Sequence, residues 1–204
     1  FFHKTSSLEN RQFVQDVFKK LQQAGHIYEN EIIQLYCNTD KKFLPDRYVI
    51  GTCPYCKADD QYSDLCEKCG RVPDGIKNPH CSICGQTPTK EKTKHYFFKL
   101  KNFSDKLSQY LDSNQNLQND VKKYVQNWIK EGLTDWDITR DISWGVPIPI
   151  NDEKEKVFYG WFDNHLAYIS SAVKFLNDNG KDGKKFWNDS DIYHFIGKDI
   201  VYHH

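Results

Sequence analysis

Near the start of the chain, Phe13, Val14, Val17, Phe18 and Leu21 repeat at helical spacing up to Gly25. The preceding Ser6-Ser7-Leu8-Glu9 has the form of a capping box, so the pattern predicts an amphipathic helix over 7–24. Ile32 to Tyr36 predicts a short strand. From 37 to 88 periodicity gives way to turn signals: Pro45-Asp46, Gly51, Pro54, Pro73-Asp74-Gly75 and Asn78-Pro79. His95 to Leu100 predicts a strand leaving this region. Helices are expected near 103–112 and 117–131. In the second, Leu117, Val121, Tyr124, Val125, Trp128 and Ile129 share one face, expected to be buried, and Gly132 ends it.

Beyond 133 the pattern changes. Trp144-Gly145-Val146-Pro147-Ile148-Pro149 is too rich in proline for regular structure. A strand over 157–162, a helix near 164–178 and a strand over 192–196 then predict a βαβ unit with a parallel sheet, and hence an α/β fold. Open sheets of this kind bind ligands beyond the carboxyl ends of their strands. Phe162-Asp163-Asn164 and Gly197-Lys198-Asp199 fall at those ends, with Asp163 expected as a helix N-cap.

The turn-rich stretch carries the most specific chemistry. Three Cys-x-x-Cys pairs, Cys53/Cys56, Cys66/Cys69 and Cys81/Cys84, follow a lone Cys37. Each pair brings two sulfurs onto one tight turn, and two pairs can close a tetrahedral Zn²⁺ shell. Cys69-Gly70 and Cys84-Gly85 supply the glycine that a knuckle needs to turn back with positive φ. Cys53, Cys56, Cys66 and Cys69 suit a single compact site. Cys81 and Cys84 need partners from elsewhere, and Cys37 is the remaining thiolate. Disulfides are disfavoured, because the cysteine number is odd and no signal peptide is evident. A closed four-ligand shell leaves no position to activate water, so the expected role is structural.

Composition adds exclusions. The 28 basic residues balance the 28 acidic ones, so the chain as a whole offers no excess attraction to nucleic-acid phosphates. Over 53–69, only Lys57 and Lys68 stand against Asp59, Asp60, Asp64 and Glu67, which disfavours tight nucleic-acid binding by that knuckle. No apolar run approaches the roughly 18 residues of a membrane span. A soluble, cytoplasmic protein binding neither DNA nor membrane is expected. The absence of methionine, even at position 1, and the ending at Tyr202-His203-His204 suggest a fragment.

Taken in order, several stretches resemble the methionyl-tRNA synthetases, which are class I aminoacyl-tRNA synthetases. They are Thr5-Ser6-Ser7, Leu35-Tyr36-Cys37, Phe43 to Val49 with Gly51-Thr52-Cys53-Pro54, and Cys66 to Gly70. Ile138-Thr139-Arg140-Asp141, Trp144 to Pro149, Val157 to Asp163 and Tyr193 to Ile200 continue the series. The resemblance implies a class I Rossmann-type catalytic domain carrying a zinc-knuckle connective peptide insertion. Residues 1–36 would lead into the insertion, 37–100 form it, 101–150 be a helical return, and 151–204 belong to the catalytic domain. It further implies a parent enzyme that forms methionyl-adenylate from methionine and ATP, with Mg²⁺, and transfers the methionyl group to tRNA(Met). The family's two ATP-binding signatures, of His-x-Gly-His and Lys-Met-Ser-Lys-Ser type, are absent from this chain, so it should not activate methionine alone.

Residue by residue, the resemblance places Trp161, Tyr168, Ile200 and His204 around methionine, and Gly197 and Asp199 on the adenosine ribose. Aromatic walls suit a polarizable thioether. For the metal, it implies a second knuckle beginning at Cys37-Asn38-Thr39-Asp40, so that Asp40 joins Cys37, Cys81 and Cys84, with His80 the competing fourth ligand. Asn164-His165 departs from the family's Ala-Pro, and His203 stands where an aromatic is common. A non-catalytic zinc-ribbon module binding tRNA or protein is the alternative function. A class I synthetase for another aliphatic amino acid is a third.

Overall fold

The computed structural model of the protein describes residues 1–150 and 156–204, and for Asp46, Lys198, Asp199 and Tyr202 the backbone alone. The boundary expected at 150/151 therefore touches residues outside those described.

Helix α1 spans Leu8–Gln23 and buries Val14 and Phe18. Its cap lies one residue later than the capping box predicts. Ser7, not Ser6, is the N-cap and accepts from the Asn10 backbone N–H at 3.1 Å. Strand β1, Ile27–Cys37, is twice the length expected. Charged residues hide its alternation in the sequence, but its long antiparallel partner neutralises them.

Two short strands, β2 (Lys42–Phe43) and β3 (Val49–Thr52), precede β4 (Gln61–Tyr62) and β5 (Lys77–Cys81). Gly51 belongs to β3 and not to a turn. A Cβ there would strike the Lys77 carbonyl oxygen of β5, and the β3–β5 register shifts between Ile50 and Thr52. Strand β6, Thr89–Phe98, then pairs with β1 from Ile27↔Phe98 to Tyr36↔Thr89. Across that ladder Lys92 meets Glu31 at 2.7 Å and Lys94 meets Glu29 at 3.1 Å.

Helices α2 (Ser104–Ser113) and α3 (Asn119–Glu131) pack on each other. The burial expected for the α3 stripe is not observed. No α3 residue is buried, and Tyr124 and Trp128 are 55% and 39% exposed, because α2 covers only part of that face.

Strands β7 (Trp136–Asp137), β8 (Thr139–Arg140) and β9 (Val157–Phe158) are short. They lead into α4 (Gly160–Asp178) and α5 (Gly183–Asp189). One sheet has the order β2-β1-β6-β7, a second β4-β3-β5, and β8 pairs with β9; every pairing described is antiparallel.

The fold is thus mixed α/β, but the expected βαβ unit does not form. The strand predicted over 157–162 ends at Phe158, and helix α4 takes up the remainder. Residues 191–197 are irregular, with Phe195 97% exposed, since no described strand lies alongside to complete a ladder. Asp163 sits inside the first turn of α4, where Tyr159 is the N-cap, so Asp163 is not the cap.

One core joins Val14 and Phe18 of α1 to Ile27, Tyr96, Ile138, Val146, Ile148, Phe158 and Phe162. Beside it, fully buried Asn10 accepts from the Ser170 hydroxyl of α4 and donates to the Thr5 carbonyl, each at 2.8 Å. The turn-rich region has only a small apolar cluster of Leu44 and Val49 with Cys37 and Cys81. Among the described residues no helix is long and apolar enough to cross a membrane.

Candidate metal centres and an aromatic pocket

Four turns of one design carry the side chains that could ligate a metal. In three of them the first cysteine N–H donates to the carbonyl five residues on, and its own carbonyl accepts from the N–H four residues on. These pairs are Cys53 with Ala58 and Lys57, Cys66 with Arg71 and Gly70, and Cys81 with Gln86 and Gly85. The residue four positions on has positive φ in every turn: 64° at Lys57, 70° at Gly70 and 75° at Gly85. Lys41, four residues after Cys37, has φ of 53° and completes the set. Glycine announces two of these turns in the sequence; the two lysines give no such signal. Within the set, Asp40 occupies the position held elsewhere by Cys56, Cys69 and Cys84.

The turns pair into two clusters, Cys53/Cys56/Cys66/Cys69 and Cys37/Asp40/Cys81/Cys84, and in each the ligand atoms all lie within 4.8 Å of one another. Sulfur separations are 3.9 Å for Cys53–Cys69, 3.6 Å for Cys56–Cys66 and 3.4 Å for Cys37–Cys84. A tetrahedron with Zn–S bonds of about 2.3 Å has edges of about 3.8 Å, so the spacing fits that ion. Asp40 Oδ2 lies 3.3 Å from Cys37 Sγ and 3.1 Å from Cys81 Sγ. His80 instead faces Asp60, with Nε2 at 3.8 Å from its carboxylate, outside the cluster.

Crowding drives the thiol pKa values apart. Burial pushes Cys53 up, but backbone N–H groups of Cys56 and Tyr55 overcome it and bring the thiol down to about 6. At Cys69 the Arg71 N–H pulls down, yet burial and the neighbouring sulfurs raise it to about 11. Beside the Asp40 carboxylate, Cys84 rises to about 12. A divalent cation removes this opposition by stabilising all the anions together.

The second feature is an open pocket of about 420 Å³ between the N-terminal segment, α4 and the 3₁₀ turn Lys198–His203. Trp161, Tyr168, Ile200 and His204 all line it, with Thr5 and His165. The Tyr168 hydroxyl meets His204 Nε2 at 3.3 Å. His203 stacks flat on Trp161, with ring centroids 4.2 Å apart and planes 8° apart, so an imidazole supplies the aromatic surface there. Burial, reinforced by the charges of His165 and His204, depresses its pKa to about 4 and keeps it neutral near pH 7.

His165 Nδ1 lies 2.6 Å from the Trp161 carbonyl, which can only accept, so Nδ1 carries the proton. Thr5 and His165 join the wall; Thr5 opens the first stretch that carries the family resemblance, and His165 stands where this chain departs from it. Gly197 N-caps the 3₁₀ turn at the edge of this region, and the Asp199 side chain lies outside the described residues. Asp163, next to Phe162, is buried and has its carboxyl pushed up to about 6 by desolvation.

The chain is similar to proteins of known kind. A methionine–tRNA ligase of Methanobrevibacter smithii is 47% identical over 205 residues, covering all of this chain and 31% of that protein. The Methanocaldococcus jannaschii enzyme is 47% identical over 207 residues, covering all of this chain and 30% of its own length. The chain thus spans about a third of the length of these relatives. A crystal structure of Mycobacterium tuberculosis methionyl-tRNA synthetase bound by methionyl-adenylate superposes with a TM-score of 0.64 at 23% identity. It covers all of this chain and 35% of that one, a likeness of fold. The family model described as tRNA synthetases class I (M) matches residues 1–204, and the chain belongs to that family.

Proposed function

We propose that this chain serves as the methionine-binding and metal-bearing segment of a methionine–tRNA ligase. One observation carries the reading. Trp161 and Tyr168 of α4, and Ile200 and His204 from the C-terminal turn, are remote in sequence yet line a single pocket. Trp161 and Tyr168 offer rings to a thioether, and the Tyr168 hydroxyl with His204 offers polar atoms towards its weakly accepting sulfur. Gly197 and Asp199 are assigned to the adenosine ribose.

In the intact enzyme the methionine carboxylate attacks the α-phosphate of ATP, supplied with Mg²⁺, and expels pyrophosphate; a tRNA(Met) hydroxyl then takes the methionyl group from the adenylate and releases AMP. This chain's contribution to those steps is binding and positioning. The groups that hold the ATP phosphates belong to signatures outside it. Residues 151–204 are read as part of the Rossmann catalytic domain, which supplies sheet neighbours for 191–197 in the complete protein. Residues 1–36 lead into the connective peptide at 37–100, and 101–150 return from it.

Cys53, Cys56, Cys66 and Cys69 hold one Zn²⁺, and Cys37, Asp40, Cys81 and Cys84 hold a second. When bound, each ion supplies cross-linking of the knuckles and leaves no position for water activation.

Methionine-dependent ATP–pyrophosphate exchange by the full-length protein carrying this segment tests the reading. Exchange is expected with methionine and lost on Trp161→Ala. Absence of exchange in the intact wild-type protein, with tRNA or protein binding retained, would establish the non-catalytic zinc-ribbon module instead.

A further inference from the structure

His95 belongs to no motif in the sequence, yet it is fully buried and sits at the centre of a charged cluster. Its Nδ1 lies 2.7 Å from Asp137 Oδ2 and its Nε2 lies 2.9 Å from Asp141 Oδ2. Asp141 also accepts from the Thr93 hydroxyl at 2.8 Å and from the Lys156 ammonium. Asp137 Oδ1 accepts from the Thr139 N–H at 3.1 Å, and Arg140 Nη1 stands 3.4 Å from Asp137 Oδ2. Two carboxylates so placed among cations and donors are ionised, and an ionised carboxylate only accepts. A neutral imidazole would turn a lone pair on one of them. Both ring nitrogens must therefore donate, which makes the ring an imidazolium.

The cluster has a mechanical position. His95 lies on β6, whose ladder with β1 runs to Tyr36↔Thr89, beside the Cys37 knuckle. From His95 the contacts pass through Asp137 to Arg140, whose guanidinium lies 3.9 Å over the Tyr159 ring. Tyr159 is the N-cap of α4, the helix that carries Trp161 and Tyr168. A second branch passes through Asp141 and Lys156 to the start of β9.

We propose that His95, held as an imidazolium between Asp137 and Asp141, is a positioning residue that fixes the first turn of α4, and with it the Trp161 wall of the pocket, to the metal-bearing hairpin. The positioning role rests on the methionine-ligase reading; the charge state of the ring does not.

The charged and titratable groups facing the ring are Asp137 from β7, Asp141 and Arg140 at β8, and Lys156 ahead of β9. Thr93 is the polar neighbour on its own strand, and Asn30 is the register partner on β1, where Glu29 and Glu31 pair with lysines instead. Burial pushes the His95 pKa down, but Asp137 and Asp141 outweigh it and hold it above the ordinary value of 6.5. The stabilisation is complete below the ordinary value and disappears as pH rises through the elevated one.

The test uses the full-length, zinc-loaded protein carrying this segment. His95→Gln should raise the KM for methionine about tenfold, with the KM for ATP and the zinc content changed less than about twofold. An unchanged methionine KM in His95→Gln, or an equal rise in the KM for ATP, overturns the positioning role. Nitrogen NMR of wild-type protein labelled only at histidine decides the charge state even where the variant fails to fold. The His95 ring should lose its second proton only above the ordinary value of 6.5, and a ring already neutral at or below that value overturns the proposal. Wild-type protein lacking methionine-dependent exchange counts against the ligase reading and with it the positioning role, while the NMR result still decides the imidazolium.

Discussion

The knuckle region and the helical body reach order by different physics. In the body, Phe18 of α1 packs edge-on against Tyr96 and tilted against Phe158, and apolar surface from four stretches of chain closes over it. Between Phe43 and Gln86 there is no comparable core among the described residues; Leu44 and Val49 are its principal buried aliphatics, and three buried cysteines, Cys53, Cys66 and Cys81, take the places that larger apolar side chains fill elsewhere. A body of this kind is stable in proportion to the area it removes from water. The knuckles carry two sets of side chains that could hold an ion, and with one bound their stability would follow metal concentration and proton concentration as a binding reaction does.

The largest effect that can break this contrast is removal of a ligand. Cys66→Ser, or chelation of the wild type, should release the Cys53 site's ion and disorder residues 43–88, because structural zinc contributes on the order of 10 kcal/mol. Metal analysis and hydrogen exchange read both outcomes; unchanged metal content would remove Cys66 from the site. The matching insult to the body, Phe18→Ala, should cost about 3–5 kcal/mol in unfolding while leaving metal stoichiometry intact.

Asp40→Ala sharpens the comparison between the two sites. It should lower zinc from two equivalents to one, whereas His80→Ala should leave two. The reverse result would make His80 the ligand. A smaller effect is expected from Ser7→Ala, about 1 kcal/mol, from loss of the α1 cap, read by thermal unfolding.

Acid separates the regions by order of loss. Metal sites release their ion once protons compete for the thiolates. In the body, burial raises the Asp141 carboxyl, but His95 and Lys156 overcome this and hold it at about 2, below the ordinary 3.8. Its stabilisation is present above 3.8 and disappears as pH falls towards about 2. Zinc release should therefore precede loss of near-ultraviolet circular dichroism in an acid titration. Simultaneous loss would mean that the body also rests on the metal.

Structure is legible in the sequence where its cause is local. The three-to-four residue spacing from Phe13 to Leu21 yields α1, and the cysteine spacing yields three of the four turns. Features that depend on distant partners were not legible. Tyr28 to Glu31 reads as polar until Lys92 and Lys94 are seen across the ladder. The run Val157 to Phe162 satisfies both strand and helix, and tertiary contacts split it at Gly160. Apolar residues over 192–196 promise a strand, but a strand needs a neighbour to accept its hydrogen bonds. His95 was invisible because nothing in a sequence tells that Asp137, Asp141 and Lys156 converge on one ring.

The repeated turn has a kinetic consequence. In each turn the first ligand is buried, as at Cys37, Cys53, Cys66 and Cys81, while the second is half-exposed, as at Asp40, Cys56, Cys69 and Cys84. An incoming chelator meets the outer ligands first and the inner sulfurs last. A bound metal ion would thus exchange through one face of each site, and the side chains on that face would set the rate.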